Sequence, residues 1–191
     1  DVRHMFLNST HKFAERIALQ YKKAGRWIPI SYADLRRAVE EVACGLAALG
    51  LNPRESKVAI VGDNRPEWST SYLAAACTGI ICVPIDKDLK ETEVYHILYL
   101  SGANALIGDG KHIEMALEIQ RKLSELRILV NMDEPEQKET VLGFEQLKAM
   151  GRTRIAAGRN DFNERGVSAD DVLSILFTSG TMGNSKGVML S

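Results

Sequence analysis

The sequence is short of several things that commonly fix the character of a chain of this length. It has three cysteines, five prolines and four histidines in 191 residues, and only 6% aromatic residues. Cys44, Cys77 and Cys82 are odd in number, and none belongs to a C-x-x-C pair. Each lies in an apolar segment, which excludes a disulfide framework and suits reduced, buried side chains in a cytoplasmic protein. His4, His11, His96 and His112 lack the i, i+4 spacing of a helical zinc site, so no metal ligands are assigned. Charge of one sign is also missing: 24 basic against 25 acidic residues leave a net charge of -1. That excludes the basic field that nucleic acid or an anionic membrane would demand. No apolar run approaches the roughly 18 residues of a membrane span, although a peripheral membrane contact stays compatible with the sequence. The opening "DVRHMFLNSTHKF" has no apolar core of the signal-peptide kind. Because it begins with Asp1 rather than Met, a longer natural chain is expected.

What is present reads as a layered α/β core. Apolar residues make up 45% and charged residues 26%, the balance of an ordinary globular protein. Four short apolar runs recur: "KVAIV" from 57, "IICVPI" from 80, "ALIG" from 105 and "RILV" from 127. Consecutive apolar, β-branched residues suit strands buried on both faces. Residues 57–61, 80–85, 105–108 and 127–130 are therefore expected to share one mainly parallel sheet with helices on both faces. Between the runs the apolar spacing is helical. "SYADLRRAVEEVACGLAALG" aligns Leu35, Val39, Val42, Leu46 and Leu49, with Ser31 and Asp34 as a capping box and Gly50 as the stop. "NRPEWSTSYLAAACTG" puts Asn64 at the cap, Pro66 in the first turn and Glu67 at the positive helix end. "ETEVYHILYLSG" and "HIEMALEIQRKLSE" are two more helices.

Margins are read separately. "IALQYKKAGRWIPIS" is two short strands around Lys22 to Gly25, a hairpin at the sheet margin. "NMDEPEQKET" reads as a charged surface loop. "LGFEQLKAMGRTRIAAGRN" returns to helical spacing with Phe144, Leu147 and Met150 inward, and "FNERGVSADD" is a polar connection into the last strand, "DVLSILFT".

That strand runs into "TSGTMGNSKG". Glycines let successive backbone N–H groups converge on an anion, hydroxyls add donors, and a lysine adds a point charge. Gly180, Gly183 and Gly187 supply the freedom, Thr178, Ser179, Thr181 and Ser185 the hydroxyls, and Lys186 the cation. The Walker pattern nevertheless fails, because Ser185 stands where its second glycine belongs and Gly187 where its Ser or Thr belongs. The dinucleotide pattern fails as well, with Thr178 at its first glycine. Physics alone gives a phosphate loop in preference to a plain turn.

At this point "FTSGTMGNSKG" resembles the phosphate-binding signature of the adenylate-forming enzymes, commonly T-S-G-T-T-G-x-P-K-G. Thr178, Ser179, Gly180, Thr181, Gly183, Lys186 and Gly187 carry the match; Met182 and Ser185 depart from the usual hydroxyl and proline. "VAIVGDNRPEW", "LAAACTGIICVPID" and "YLSGANALIGD" are similar to upstream segments of the same family, so the resemblance runs from about Phe13 onward. "NRPEW" and "KGVMLS" look most like long-chain fatty acyl-CoA synthetases. The resemblance implies that a carboxylate attacks the α-phosphate of ATP, and that the thiol of coenzyme A then displaces AMP. ATP, Mg2+ and coenzyme A would be the small molecules needed. Thr178, Ser179, Gly180, Thr181, Met182, Gly183 and Lys186 would bind the ATP phosphates, and no catalytic residue is assigned within the chain. It further implies that the loop joins two strands, that residues 1–191 are the N-terminal portion of an AMP-binding domain, and that the adenine-binding segments and C-terminal domain lie elsewhere.

Duller readings stand beside these. Trp68 and Tyr72 sit at helical spacing and read as core. Asp63 and Asn64 end a strand where α/β proteins place sites, though helix capping accounts for Asn64 equally well. Asp86 and Asp88 read as solvated loop carboxylates rather than a metal site. The rival functions are a non-catalytic phosphate- or nucleotide-binding α/β module and an interaction domain whose glycine loop merely connects.

Overall fold

A computed structural model of the chain describes residues 1–133, 140–178 and 186–191. It begins with α1 (Val2–Lys12) and an antiparallel hairpin of β1 (Ile17–Lys23) and β2 (Arg26–Ser31). There follow α2 (Tyr32–Ala48), β3 (Lys57–Val61), α3 (Pro66–Cys77), β4 (Ile81–Ile85), α4 (Glu91–Ser101), β5 (Ala105–Gly108), α5 (Gly110–Gln120) and β6 (Ile128–Asn131). The chain continues through β7 (Leu142–Gly143), α6 (Phe144–Ala156), the short α7 (Asp161–Glu164), β8 (Ser174–Thr178) and β9 (Lys186–Leu190).

Seven strands form one sheet in the order β7-β6-β5-β3-β4-β8-β9. All neighbours are parallel except β8 and β9, which run antiparallel. The four apolar runs are its centre, and their consecutive apolar residues have a simple cause. Val58 and Ile60 point into a core shared with α1, α2, α3, α6 and α7, whereas Ala59 and Val61 point into a second core under α4 and α5. Covering both faces buries all but the odd position of these four strands.

Local sequence sets the helix ends. The Ser31 hydroxyl accepts the N–H of Asp34 at 3.0 Å to open α2, and Gly50 closes it with φ 81°. α2 and α6 touch backbone to backbone through Gly45 and Gly151; a Cβ at Gly151 would overlap the Glu41 carbonyl. Buried Glu41 is satisfied there by Arg152 at 2.9 Å and Lys148 at 3.7 Å.

Four expectations change. Arg65, not Asn64, caps α3, and its side chain makes no capping bond because it is used elsewhere. The hairpin forms a sheet of its own: Ala18, Leu19 and Ile30 lean on the first core, so helices separate it from the main sheet. The segment read as a polar connection buries Phe162 completely, edge-on to Phe6 at 6.4 Å, with the Arg3 guanidinium 4.8 Å above its ring. Met150 is half-buried rather than inward, because α6 turns Phe144, Leu147 and Gly151 to the core. Trp68 and Tyr72 do pack against the core, stacked at 5.7 Å.

Candidate functional site

Parallel α/β sheets gather their polar groups at the carboxyl ends of the strands, because the chain leaves each strand there to form a loop. β8 ends at Thr178 and β9 starts at Lys186; the two are Cα partners in the last rung of an antiparallel ladder, and both are exposed. The loop therefore joins two strands, as the resemblance implied. Ser179, Gly180, Thr181, Met182 and Gly183, with Ser185, lie outside the described residues. Gly187 has a packing reason: a Cβ would come 3.0 Å from Ile175 and 3.2 Å from the Phe177 ring. The glycine lets β9 lie flat against β8 immediately after Lys186.

Beside this ladder, the carboxyl edge carries a chain of charged contacts. After β4, Asp86 accepts the N–H of Asp88 at 3.0 Å, and Lys87 reaches Asp88 at 3.1 Å and Asp63 at 3.4 Å. Bonding and charge from Asp88, then from Asp63, push the Lys87 ammonium above its ordinary range. Asp86 and Asp88 are exposed and engaged in this turn, in line with solvated carboxylates. Among the described residues no three His, Cys, Asp or Glu side chains converge on a metal position.

Farther along the edge, Arg65 grips three groups. Its guanidinium donates to Glu67 at 2.7 Å, to Asp133 at 2.5 Å and to the Met132 carbonyl at 3.0 Å. Partial burial works against the charge, but the two carboxylates outweigh it and hold Arg65 protonated beyond its usual range. Asp133 is pulled below the usual carboxylate range by Arg65 and then by the Gly110 N–H, which it accepts at 2.9 Å. This clasp joins the turns after β3, β5 and β6.

Two of these features escaped the sequence reading. Arg65 lay inside "NRPEW", where Asn64 was the better cap by propensity. His112, to which the histidine spacing assigns no metal role, is buried and bonded at both nitrogens. Its signal was available: Asp109 stands three residues earlier, an N-cap spacing, and does accept the His112 N–H.

The family model for AMP-binding enzymes matches residues 6–191. A human long-chain-fatty-acid–CoA ligase, ACSBG1, is 31% identical over 200 residues, covering 100% of this chain and 26% of the ligase. A feruloyl-CoA synthase from Amycolatopsis is 32% identical over 168 residues, covering 85% of this chain and 28% of the synthase. The solved structure of an anthranilate CoA ligase, AuaEII, in complex with anthranoyl-AMP superposes with a TM-score of 0.83 at 23% identity, over 99% of this chain and 34% of that one. At that identity the superposition speaks for the fold. The chain thus spans about a quarter of the length of the curated relatives it matches.

Proposed function

Because this chain belongs to the AMP-binding enzyme family, we propose that it is the phosphate-loop portion of an enzyme that activates a carboxylic acid with ATP. The acid becomes an acyl adenylate, pyrophosphate leaves, and the adenylate passes to coenzyme A. The observation that carries this reading is the strand–loop–strand unit in which Thr178 faces Lys186 at the carboxyl edge of the sheet. Thr178, Ser179, Gly180, Thr181, Met182, Gly183 and Lys186 would hold the β- and γ-phosphates. Lys186, fixed at the first residue of a strand, would meet charge that grows on the departing pyrophosphate. Magnesium would supply further countercharge for the departing pyrophosphate, and no residue of this chain is assigned to hold it.

Residues 1–191 are on this reading the N-terminal portion of an AMP-binding domain, and the remaining parts of the site belong to chain not contained in them. The acid is proposed to be a fatty acid, on the strength of the ligase related over the whole chain. Feruloyl and anthranoyl groups among the other likenesses make hydroxycinnamic and aromatic acids the natural comparators. The test is incorporation of labelled pyrophosphate into ATP by the intact enzyme, across long-chain, hydroxycinnamic and aromatic acids. The expected result is acid-dependent exchange, strongest with a long-chain acid, and none from the 191 residues alone. ATP binding without exchange in the intact enzyme would favour a non-catalytic nucleotide-binding module instead.

A further inference from the structure

The outer half of the hairpin serves neither core and lies outside the candidate site. On its inner face Leu19 and Ile30 pack against the first core, and Tyr21 and Ile28 are half-buried farther along. Pleating turns Gln20, Lys22, Trp27 and Pro29 to the other face, and all four are exposed. Trp27, 64% exposed, pairs with Lys22 across the ladder. In the next pair Lys23 and Arg26 bracket the two-residue turn of Ala24 and Gly25. Among the described residues no acidic side chain forms an ion pair with Lys22, Lys23 or Arg26. The balanced charge of the whole chain, which weighs against an anionic surface, does not hold locally. Residues 12–26 carry five basic side chains, Lys12, Arg16, Lys22, Lys23 and Arg26, against the single acid Glu15.

We propose that the hairpin tip, Lys22 to Trp27, is a docking point for an anionic lipid surface. Its chemistry matches the boundary layer of a bilayer. Cations are drawn to acidic headgroups within a Debye length of about 10 Å, and long basic side chains reach phosphate oxygens while their stems lie along apolar groups. The indole of Trp27 brings an apolar ring and one N–H donor to headgroup level, where both are satisfied. Nucleic acid fits less well, because a two-residue turn offers no row of cations to follow a phosphate backbone. A protein partner needs a shaped, packed surface, which three flexible side chains around a tight turn do not make. Further protein packed over the tip would have to bury unpaired cations, at heavy cost. The hairpin is a sheet of its own, so docking at its tip pulls on no hydrogen bond of the strands that carry the loop. The docking does not depend on the adenylation chemistry.

The test is co-sedimentation of the intact enzyme with phosphatidylcholine vesicles containing about a quarter phosphatidylserine, beside vesicles of phosphatidylcholine alone. Binding should require the anionic lipid and weaken as salt rises. Replacing Lys22, Lys23 and Arg26 together by Gln should lower the affinity on the order of 100-fold, about fivefold for each cation. Trp27→Ala should cost about tenfold and leave the salt dependence as it was. Lys22→Arg, Lys23→Arg and Arg26→Lys together keep the charge and should bind as wild type. Every one of these positions is exposed, so the variants should melt near the wild-type temperature. Absence of binding to the anionic vesicles, equal binding to both kinds, or wild-type affinity in the triple Gln variant would overturn the docking. Tighter binding to a single-stranded oligonucleotide than to the vesicles, lost in the triple Gln variant, would assign the tip to nucleic acid and overturn it as well.

Discussion

Cys77 and Cys82 show what burial does to a reactive group. Desolvation by the core pushes the Cys77 thiol up to about 12, Arg3 offsetting it only slightly, and pushes Cys82 still higher. Cys44 moves the same way for the same leading reason. A thiol without thiolate is a poor nucleophile. All three should therefore resist a maleimide or disulfide reagent in the folded protein and react promptly in denaturant. Fast labelling of the folded chain at neutral pH would mean that the core opens more readily than its packing implies. The sequence made these residues legible because each cysteine sat in an apolar run. It could not do so for His112, whose partner across the fold is a backbone carbonyl with no sequence signature.

At the scale of elements, the hairpin carries an avoidable strain. Lys23 pairs with Arg26, leaving Ala24 and Gly25 as a two-residue turn with φ of 47° and 78°. Both positions need the left-handed region, which suits Gly25 and penalises the Cβ of Ala24. Ala24→Gly or Ala24→Asn should stabilise the protein by about 0.5–1 kcal/mol, read as a rise in the denaturation midpoint. A fall would show that the turn takes another conformation in solution. The four central strands were legible because burial on both faces writes an unbroken apolar run. The place of the hairpin was not, since its partners are helix surfaces far along the chain. Phe162 was hidden by its polar neighbours; it reaches the core because Asp161, the first residue of α7, is anchored by Arg154.

That anchor also bears on the molecule as a whole. Arg154 donates to both oxygens of Asp161, and this bonding holds the carboxyl below its usual range although burial pushes the other way. Asp133 is lowered likewise by Arg65. A carboxyl depressed in the folded state stabilises that state above its unfolded value, and the benefit disappears as pH falls through the folded value. Stability should thus be level near neutrality and decline below about pH 4. Asp161→Asn should lower the melting temperature at neutral pH and flatten that acid decline; an unchanged acid limb would remove Asp161 from the account. The mainly parallel sheet, its helices on both faces and the two-strand setting of the loop followed from pattern and resemblance, whereas the order of the strands came only with the structure. The charged clasps along the carboxyl edge did not, because each joins residues that only the topology brings together. The central claim, that Lys186 serves the departure of pyrophosphate, is tested most directly by Lys186→Ala in the intact enzyme, with adenylate formation from ATP measured beside coenzyme A transfer from supplied acyl adenylate. The account predicts a loss on the order of 100- to 1000-fold in the first half-reaction and little change in the second; an unaffected first half-reaction, or equal loss in both, would contradict it.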